Sequence, residues 1–263
     1  MDLTNKVAVI SGASSGIGKA LAQLLTANKA KVVLLARRED KLKEIVAELK
    51  EFQHEALAIK TDVTDREQVF NAVKLAFETY GRIDIVVNNA GAGYFGTIEK
   101  IPLAEFDRLV KTNVYGMLNL SQAAIPSLKK TQGMIVNVSS ALSKRALPFL
   151  SAYSSTKSMM DALSDGMRLE LRKYGIKILN YCPPETNTEF FETTVSEIGL
   201  DHNQAGNRRK ADVKDVAARI VEAITAEKRE VVEGKSLQVM NFLAPKMLDK
   251  MFYKGMVQKI LKE

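Results

Sequence analysis

Short runs rich in Val, Ile and Leu recur along this chain, and amphipathic stretches fill the gaps between them. The runs cover residues 7–10, 32–36, 56–61, 83–88, 134–139 and 176–181. Apolar content without polar alternation is the pattern of strands buried on both faces of a parallel sheet. In the gaps, Leu42, Ile45, Val46 and Leu49 share one helical face, as do Val69, Val73, Ala76 and Phe77. Strand–helix alternation with right-handed crossovers predicts a doubly wound α/β fold with helices on both faces. No repeat or low-complexity linker divides the chain, so residues 1–263 are expected to form a single domain. The least regular segment, 183–211, reads as a substrate lid. A helix over 213–226, a strand over 230–232 and a basic tail follow it.

Composition narrows the function classes. The chain is 46% hydrophobic and 26% charged, which places it among folded globular proteins. No apolar run reaches the ~18–20 residues that span a bilayer. One cysteine, Cys182, leaves no partner for an intrachain disulfide or a cysteine zinc site, and no metal is expected. With only His54 and His202 present, Ser-His-Asp chemistry needs one of the two poised. The first ten residues reach an apolar strand by Val7, which leaves no room for a signal peptide, so a soluble, cytoplasmic protein is expected. The +7 charge is dispersed among acidic residues, as in Lys41, Lys43 and Glu44. No basic cluster is interleaved with aromatic side chains, and nucleic acid is not an expected partner.

The first strand ends in Ser11-Gly12-Ala13-Ser14-Ser15-Gly16-Ile17-Gly18 and a helical pattern starts there. Glycines let the backbone turn tightly and approach a pyrophosphate held by the free N–H groups of the helix N-terminus. The spacing is GxxxGxG, not the commoner GxGxxG, and a plain structural turn is the competing reading. About twenty residues further on, a dinucleotide fold reads the adenosine ribose. An acid there would bond the 2′-hydroxyl of NAD. This chain has Ala36-Arg37-Arg38, and guanidinium groups pair with a 2′-phosphate, which favours NADP(H). Arg37 is the expected chief contact, with Arg38 and Ser14 beside it. Solvated helix-start arginines are the alternative.

Asn88-Asn89-Ala90-Gly91 closes the fourth strand, where small residues let a cofactor lie close. Tyr153 and Lys157 stand four apart on one helical face, and a lysine beside a tyrosine stabilises phenolate. Ser140 precedes Tyr153 by thirteen residues. With these motifs in this order, the chain resembles the short-chain dehydrogenase/reductase family over roughly residues 5–235.

The resemblance implies a seven-stranded parallel sheet of order 3-2-1-4-5-6-7 and a catalytic set of Asn113, Ser140, Tyr153 and Lys157. In that set Tyr153 exchanges the proton at the substrate oxygen and Ser140 orients that oxygen. Lys157 binds the nicotinamide ribose and lowers the Tyr153 pKa, and Asn113 holds a relay water. Cofactor contacts would come from Gly12, Ser14, Ser15, Gly16, Ile17 and Gly18, from Asp62 and Val63 near adenine, and from Asn89, Ala90 and Gly91. Pro183, Thr186 and Thr188 would complete them. Two departures stand out: Pro183-Pro184 replaces the family's Pro-Gly, and the chain carries Glu233-Gly234-Lys235 where many members have Asp-Gly-Gly.

Tyr94-Phe95, Leu147-Pro148-Phe149 and Phe190-Phe191 are the candidate substrate-facing segments, with Tyr94, Phe149 and Phe190 as the named contacts. They favour a hydrophobic ketone, aldehyde or secondary alcohol, and core packing is the alternative for each. A catalytically idle NADP-binding scaffold or sensor is the rival reading, and its signature would be loss of Ser140, Tyr153 or Lys157. Family members pair through the helices expected here over 103–129 and 152–174. Met159, Met160, Leu163 and Met167 offer apolar surplus for a homodimer or homotetramer. In the tail, 244–263, Leu248, Phe252, Met256 and Ile260 recur every fourth residue beside Lys246, Lys250 and Lys254. Packing of this basic amphipathic helix over the chain's own cleft or a partner subunit is the preferred reading, ahead of peripheral contact with an anionic membrane.

Overall fold

The first apolar run forms β1 (Val7–Ser11), all five residues of which are buried. Successive side chains leave a strand on opposite faces. Ala8 and Ile10 therefore enter one apolar layer, and Val7 and Val9 enter the other. β2 (Lys31–Ala36) divides the same way, with Val32 and Leu34 against Val33 and Leu35. Burial on both faces explains why these strands show no polar alternation.

The computed structural model describes residues 1–52, 54–190, 194–197, 210–233 and 245–258. The chain runs through α1 (Gly16–Ala27), β2, α2 (Glu39–Glu51), β3 (Ala56–Lys60), α3 (Arg66–Tyr80) and β4 (Ile85–Asn88). Then come β5 (Tyr94–Phe95), α4 (Leu103–Val110), α5 (Gly116–Thr131), β6 (Met134–Val138), α6 (Ser151–Glu170) and β7 (Lys177–Cys182). The order closes with β8 (Val195–Ser196), α7 (Val213–Thr225), β9 (Glu230–Val232) and α8 (Pro245–Phe252). Seven parallel strands stand in the order β3-β2-β1-β4-β6-β7-β9, the expected topology. α1, α2 and α7 cover one face, and α3, α5 and α6 cover the other. The order reverses beside β1, and in open α/β sheets ligands bind at the carboxyl ends of the strands at such a point.

Three features differ from the sequence pattern. β5 and β8 pair as a two-stranded parallel ribbon, too short for any periodicity to reveal. The helix expected over 103–129 is broken by a π-helical turn, Lys111–Tyr115, between α4 and α5. Most of the apolar surplus of α6 goes to the core: Met160 and Met167 are buried there and Leu163 packs against it, while Met159 is half-buried and Leu169 exposed. Three of the four residues offered for an interface are thereby engaged by the core.

The tail packs on protein. Leu248 and Phe252 of α8, with Met256 of the following π-helical turn, are buried against Phe95, Leu147 and Phe149. Lys246, Lys250 and Lys254 face outward. Residues 244 and 259–263, including Ile260, lie outside the described residues, as do Phe191, His202 and Gly234. No helix among the described residues is long and apolar enough to cross a membrane.

At the opposite end of the sheet, Asp84 ties β1 to the approach of β4. Its side chain is 1% exposed, and Oδ2 accepts from Val7 N–H at 3.0 Å and Arg82 Nε at 2.8 Å. Lys6 Nζ lies 3.3 Å from Oδ1. Burial alone would raise the carboxyl pKa, but Arg82, the Val7 N–H and Lys6 outweigh it and hold it below the ordinary value. The stabilisation is thus present above the unfolded pKa of ~3.9 and is lost as pH falls through the lower folded value. Asp84→Asn is expected to reduce unfolding free energy by about 1–3 kcal/mol at pH 7. Urea unfolding should show that difference shrinking as pH approaches the acid limb.

Candidate active site

A cleft of about 1070 Å³ opens at the carboxyl ends of β1 and β4, from the glycine-rich turn to Tyr153. Gly12 and Gly16 sit at φ +65° and +53°, a region that disfavours side chains. A Cβ on Gly12 would lie 2.8 Å from Ala90 Cα, and one on Gly18 would lie 2.4 Å from the Gly12 carbonyl oxygen. Asn89 Nδ2 donates to Ser11 O at 3.0 Å and Gly12 O at 3.1 Å, so the Asn-Asn-Ala-Gly segment is a strut beneath the turn. Ser15 is the N-cap residue of α1, and its side chain caps no helix N–H. Ser14, Ser15 and Ile17 line the cleft there. Bare backbone facing a helix N-terminus is a cradle suited to a pyrophosphate, and the residues present fit a dinucleotide.

Arg37, Arg38, Asp62 and Val63 line the cleft at its β2–β3 end. Arg38 Nη2 donates to Ser14 Oγ and Ser15 Oγ, both at 3.0 Å, and Nη1 donates to Glu189 at 3.0 Å. The structure therefore anchors Arg38 over the turn, where sequence favoured Arg37. Asp62 Oδ1 accepts from Thr64 N–H at 2.9 Å, and Val63 O accepts from Asn119 Nδ2 at 3.0 Å.

At the far end α6 delivers Tyr153 and Lys157, both buried, and Ser140 lines the cleft with them. The neighbouring Ser139 Oγ donates to Asp161 Oδ1 at 2.6 Å. The π-helical turn carries Asn113, fully buried, whose Oδ1 accepts from Ala92 N–H at 2.7 Å. Asn113 Nδ2 donates to Ala92 O at 3.0 Å and Thr156 Oγ1 at 2.9 Å. Gly91 lies where these groups converge: its ideal Cβ position is 3.5 Å from Asn113 Oδ1 and 3.8 Å from Lys157 Nζ.

The expected lowering of the Tyr153 pKa by Lys157 is not what this geometry produces. Burial pushes the phenol up to about 12, only partly opposed by the neighbouring Ser140 hydroxyl. Lys157 Nζ donates to Val138 O at 2.9 Å and stands 5.9 Å from the Tyr153 ring centroid. Its own pKa is pushed down to about 8 by burial, against the pull of Asp161. Desolvation is the largest cause of both shifts.

A family model described as short chain dehydrogenase matches residues 6–199. The chain belongs to the short-chain dehydrogenase family. An uncharacterised oxidoreductase of Staphylococcus aureus strain N315 is 34% identical over 227 residues, covering 86% of this chain and 94% of that one. The alcohol dehydrogenase of the archaeon Thermococcus sibiricus, solved with 5-hydroxy-NADP, is 29% identical with a TM-score of 0.77, covering 86% of this chain and 95% of that one. The 3-ketoacyl-(acyl-carrier-protein) reductase of Brucella melitensis, solved with NADH, is 28% identical with a TM-score of 0.79, covering 89% and 99%. This chain is thus an oxidoreductase of that family, with neighbours that carry nicotinamide dinucleotides of both kinds.

In this short-chain dehydrogenase the segment after β7 lies along the cleft despite Pro184. Ala141 N–H donates to Pro183 O at 3.0 Å, and Thr186 forms a parallel bridge with Ala211. Thr188 lies over the glycine-rich turn, its side chain 3.1 Å from the ideal Cβ position of Gly16. The Phe190 ring stands 5.7 Å from that of Tyr153. Tyr94, Phe95, Leu147 and Met256 also reach the cleft. Phe149 departs from the expectation: it is buried behind the wall, its ring 5.7 Å from Phe95, in the cluster that receives the tail. Cys182 is fully buried, and its thiol is pushed up to about 11 by that burial.

Sequence reasoning missed Asp161, Ser143 and Asn180, which form a polar knot beside Ser140. A signal was there, since Asp161 continues the i, i+4 row of Tyr153 and Lys157.

Proposed function

We propose that the protein is an NADP(H)-dependent oxidoreductase acting on a hydrophobic ketone or aldehyde, or on the corresponding secondary alcohol. The observation that carries this reading is the meeting of Ser140, Tyr153 and Lys157 in one cleft with the glycine-rich cradle. The dinucleotide, when bound, supplies the hydride. Gly12, Gly16 and Gly18 let the backbone approach it, and Asn89, Ala90 and Gly91 flank its path. Tyr153, with a phenol proton held to about pH 12 by burial, is protonated at neutral pH and gives that proton to the substrate oxygen. Ser140 steadies the same oxygen by hydrogen bond. Lys157 holds ribose hydroxyls, and Asn113 Oδ1, with one lone pair taken by Ala92 N–H, offers the other to a relay water.

The substrate side is apolar. Phe95, Leu147, Phe190 and Met256 surround the approach to Tyr153, which suits a carbonyl with a hydrophobic body over a sugar. A homodimer or homotetramer is part of the same reading and rests on family membership alone. The test is a panel of ketones and aldehydes assayed by loss of NADPH absorbance: apolar carbonyls should be reduced, and absence of turnover across the panel would favour an idle scaffold.

Preference for NADPH over NADH is supported by the two guanidinium groups at the end of β2. The anchoring of Arg38 to Ser14 and Ser15 shifts the expected weight from Arg37 to Arg38. Charge-assisted hydrogen bonds contribute ~1.5–3 kcal/mol. Arg38→Ala should therefore erode the NADPH/NADH affinity ratio by about ten- to a hundredfold by that measure, and Arg37→Ala by less. Titration of intrinsic fluorescence with each nucleotide measures both, and equal wild-type affinities would contradict the preference.

A further inference from the structure

We propose that Asp161 is the positioning residue of the Ser140 turn, its carboxylate setting where the Ser140 hydroxyl stands against the Tyr153 phenol. The catalytic consequence rests on the functional reading above; the structural one does not. Asp161 lies on α6 one turn beyond Lys157 and two beyond Tyr153, on the same face. Its side chain is 13% exposed, and both oxygens are engaged. Oδ1 accepts from Ser139 Oγ at 2.6 Å and from Asn180 Nδ2 at 2.9 Å. Oδ2 accepts from Ser143 Oγ at 2.6 Å and lies 2.7 Å from Lys144 Nζ.

Three of these four donors belong to the six-residue segment 139–144, and Ser140 stands between them. Ser140 O accepts from Ser143 N–H at 3.0 Å and from Ser143 Oγ at 2.7 Å, so the Ser143 hydroxyl shares its proton between Ser140 and Asp161. Ser140 Oγ in turn accepts from Leu142 N–H at 3.1 Å. Except for Leu142 the segment offers short or charged side chains, with little apolar area to hold a one-turn 3₁₀ helix in place. The carboxylate does that work by charge-assisted hydrogen bonds, which are short and directional.

The fourth donor, Asn180, fixes the carboxylate to β7, so the turn is referenced to the sheet. The Lys144 ammonium also lies 2.7 Å from Glu230 Oε1. Asp161, Cys182 and Glu230 offer ligand atoms within 4.8 Å of one another, but a cation of the chain itself already bridges the two carboxylates. The cluster is therefore assigned to positioning.

Asp161→Asn keeps the shape and removes the charge; Ser139→Ala removes one tie and no charge. In Asp161→Asn, hydrogen exchange across residues 139–144 should accelerate by about tenfold or more while β1 and β4 stay protected. NADPH affinity should stay within about twofold, and kcat for carbonyl reduction should fall on the order of 10- to 100-fold, as for a misplaced reacting group. Introduced into Ser140→Ala, the same change should cost less than about threefold, because the hydroxyl it aims is gone. Ser139→Ala should move exchange in the same direction by a smaller factor, and it decides the matter if Asp161→Asn loses protection throughout the sheet. Unchanged exchange over 139–144 overturns the proposal, as does an equal kcat loss with and without the Ser140 hydroxyl. If the wild type reduces no carbonyl, the functional reading fails and the exchange result alone decides the role of Asp161.

Discussion

Tyr153→Phe is expected to lower kcat for carbonyl reduction by about 10²–10⁴-fold, the usual contribution of a positioned general acid. The phenol is buried, shares the cleft with Ser140 and is still protonated at neutral pH. Phenylalanine keeps the ring that stands 5.7 Å from Phe190, so the packing of the site survives and only the proton is lost. NADPH affinity should stay within about twofold, since uniform binding is untouched. Steady-state kinetics and nucleotide titration separate the two quantities. A variant that keeps most of its kcat removes Tyr153 from the mechanism.

Gly18→Ala should act at the other end of the cleft, and on binding. The added methyl would meet the Gly12 carbonyl oxygen at 2.4 Å and Asn89 Nδ2 at 2.7 Å, both parts of the cradle's own frame. Neither is the free end of a flexible chain, so the turn must shift. Overpacking of this kind costs about 1–3 kcal/mol. NADPH affinity should fall by roughly ten- to a hundredfold on that scale, with a lowered Tm. Calorimetric titration and thermal unfolding measure both, and wild-type affinity in the alanine variant would show that the turn does not hold the pyrophosphate.

Much of the fold is local, and local features are visible in a sequence. β1 and β2 announce themselves because both faces are buried, which demands unbroken apolar runs, and α2 does so because Leu42, Ile45 and Leu49 must face one layer. The glycine-rich turn is equally legible, since only glycine suits φ +65° beside Ala90. Tyr153 and Lys157 meet because a helix brings i and i+4 together. In the same way, the alternating apolar runs and helical stripes carried the fold class, and the residue types at 11–18, 88–91 and 140–157 carried the cradle and the family resemblance.

What the tertiary structure decided depends on contacts between residues far apart in sequence. Arg38 rather than Arg37 is anchored over the turn because Ser14, Ser15 and Glu189 converge on its guanidinium. Phe149 leaves the cleft wall because the tail supplies Leu248, Phe252 and Met256 as better partners. Met160 and Met167 go to the core because α6 packs into the same apolar layer as α3 and α5, a fact no helical wheel of α6 contains. The Tyr153 phenol rises to about 12 because the fold removes water from it, and desolvation belongs to the whole enclosure. Asp161 likewise acquires its four donors from β7 and the segment between β6 and α6. Sequence determines what a residue can do over one helical turn or one strand; burial and long-range hydrogen bonding, which exist only once the sheet and its layers are assembled, decide which of those capacities the site uses.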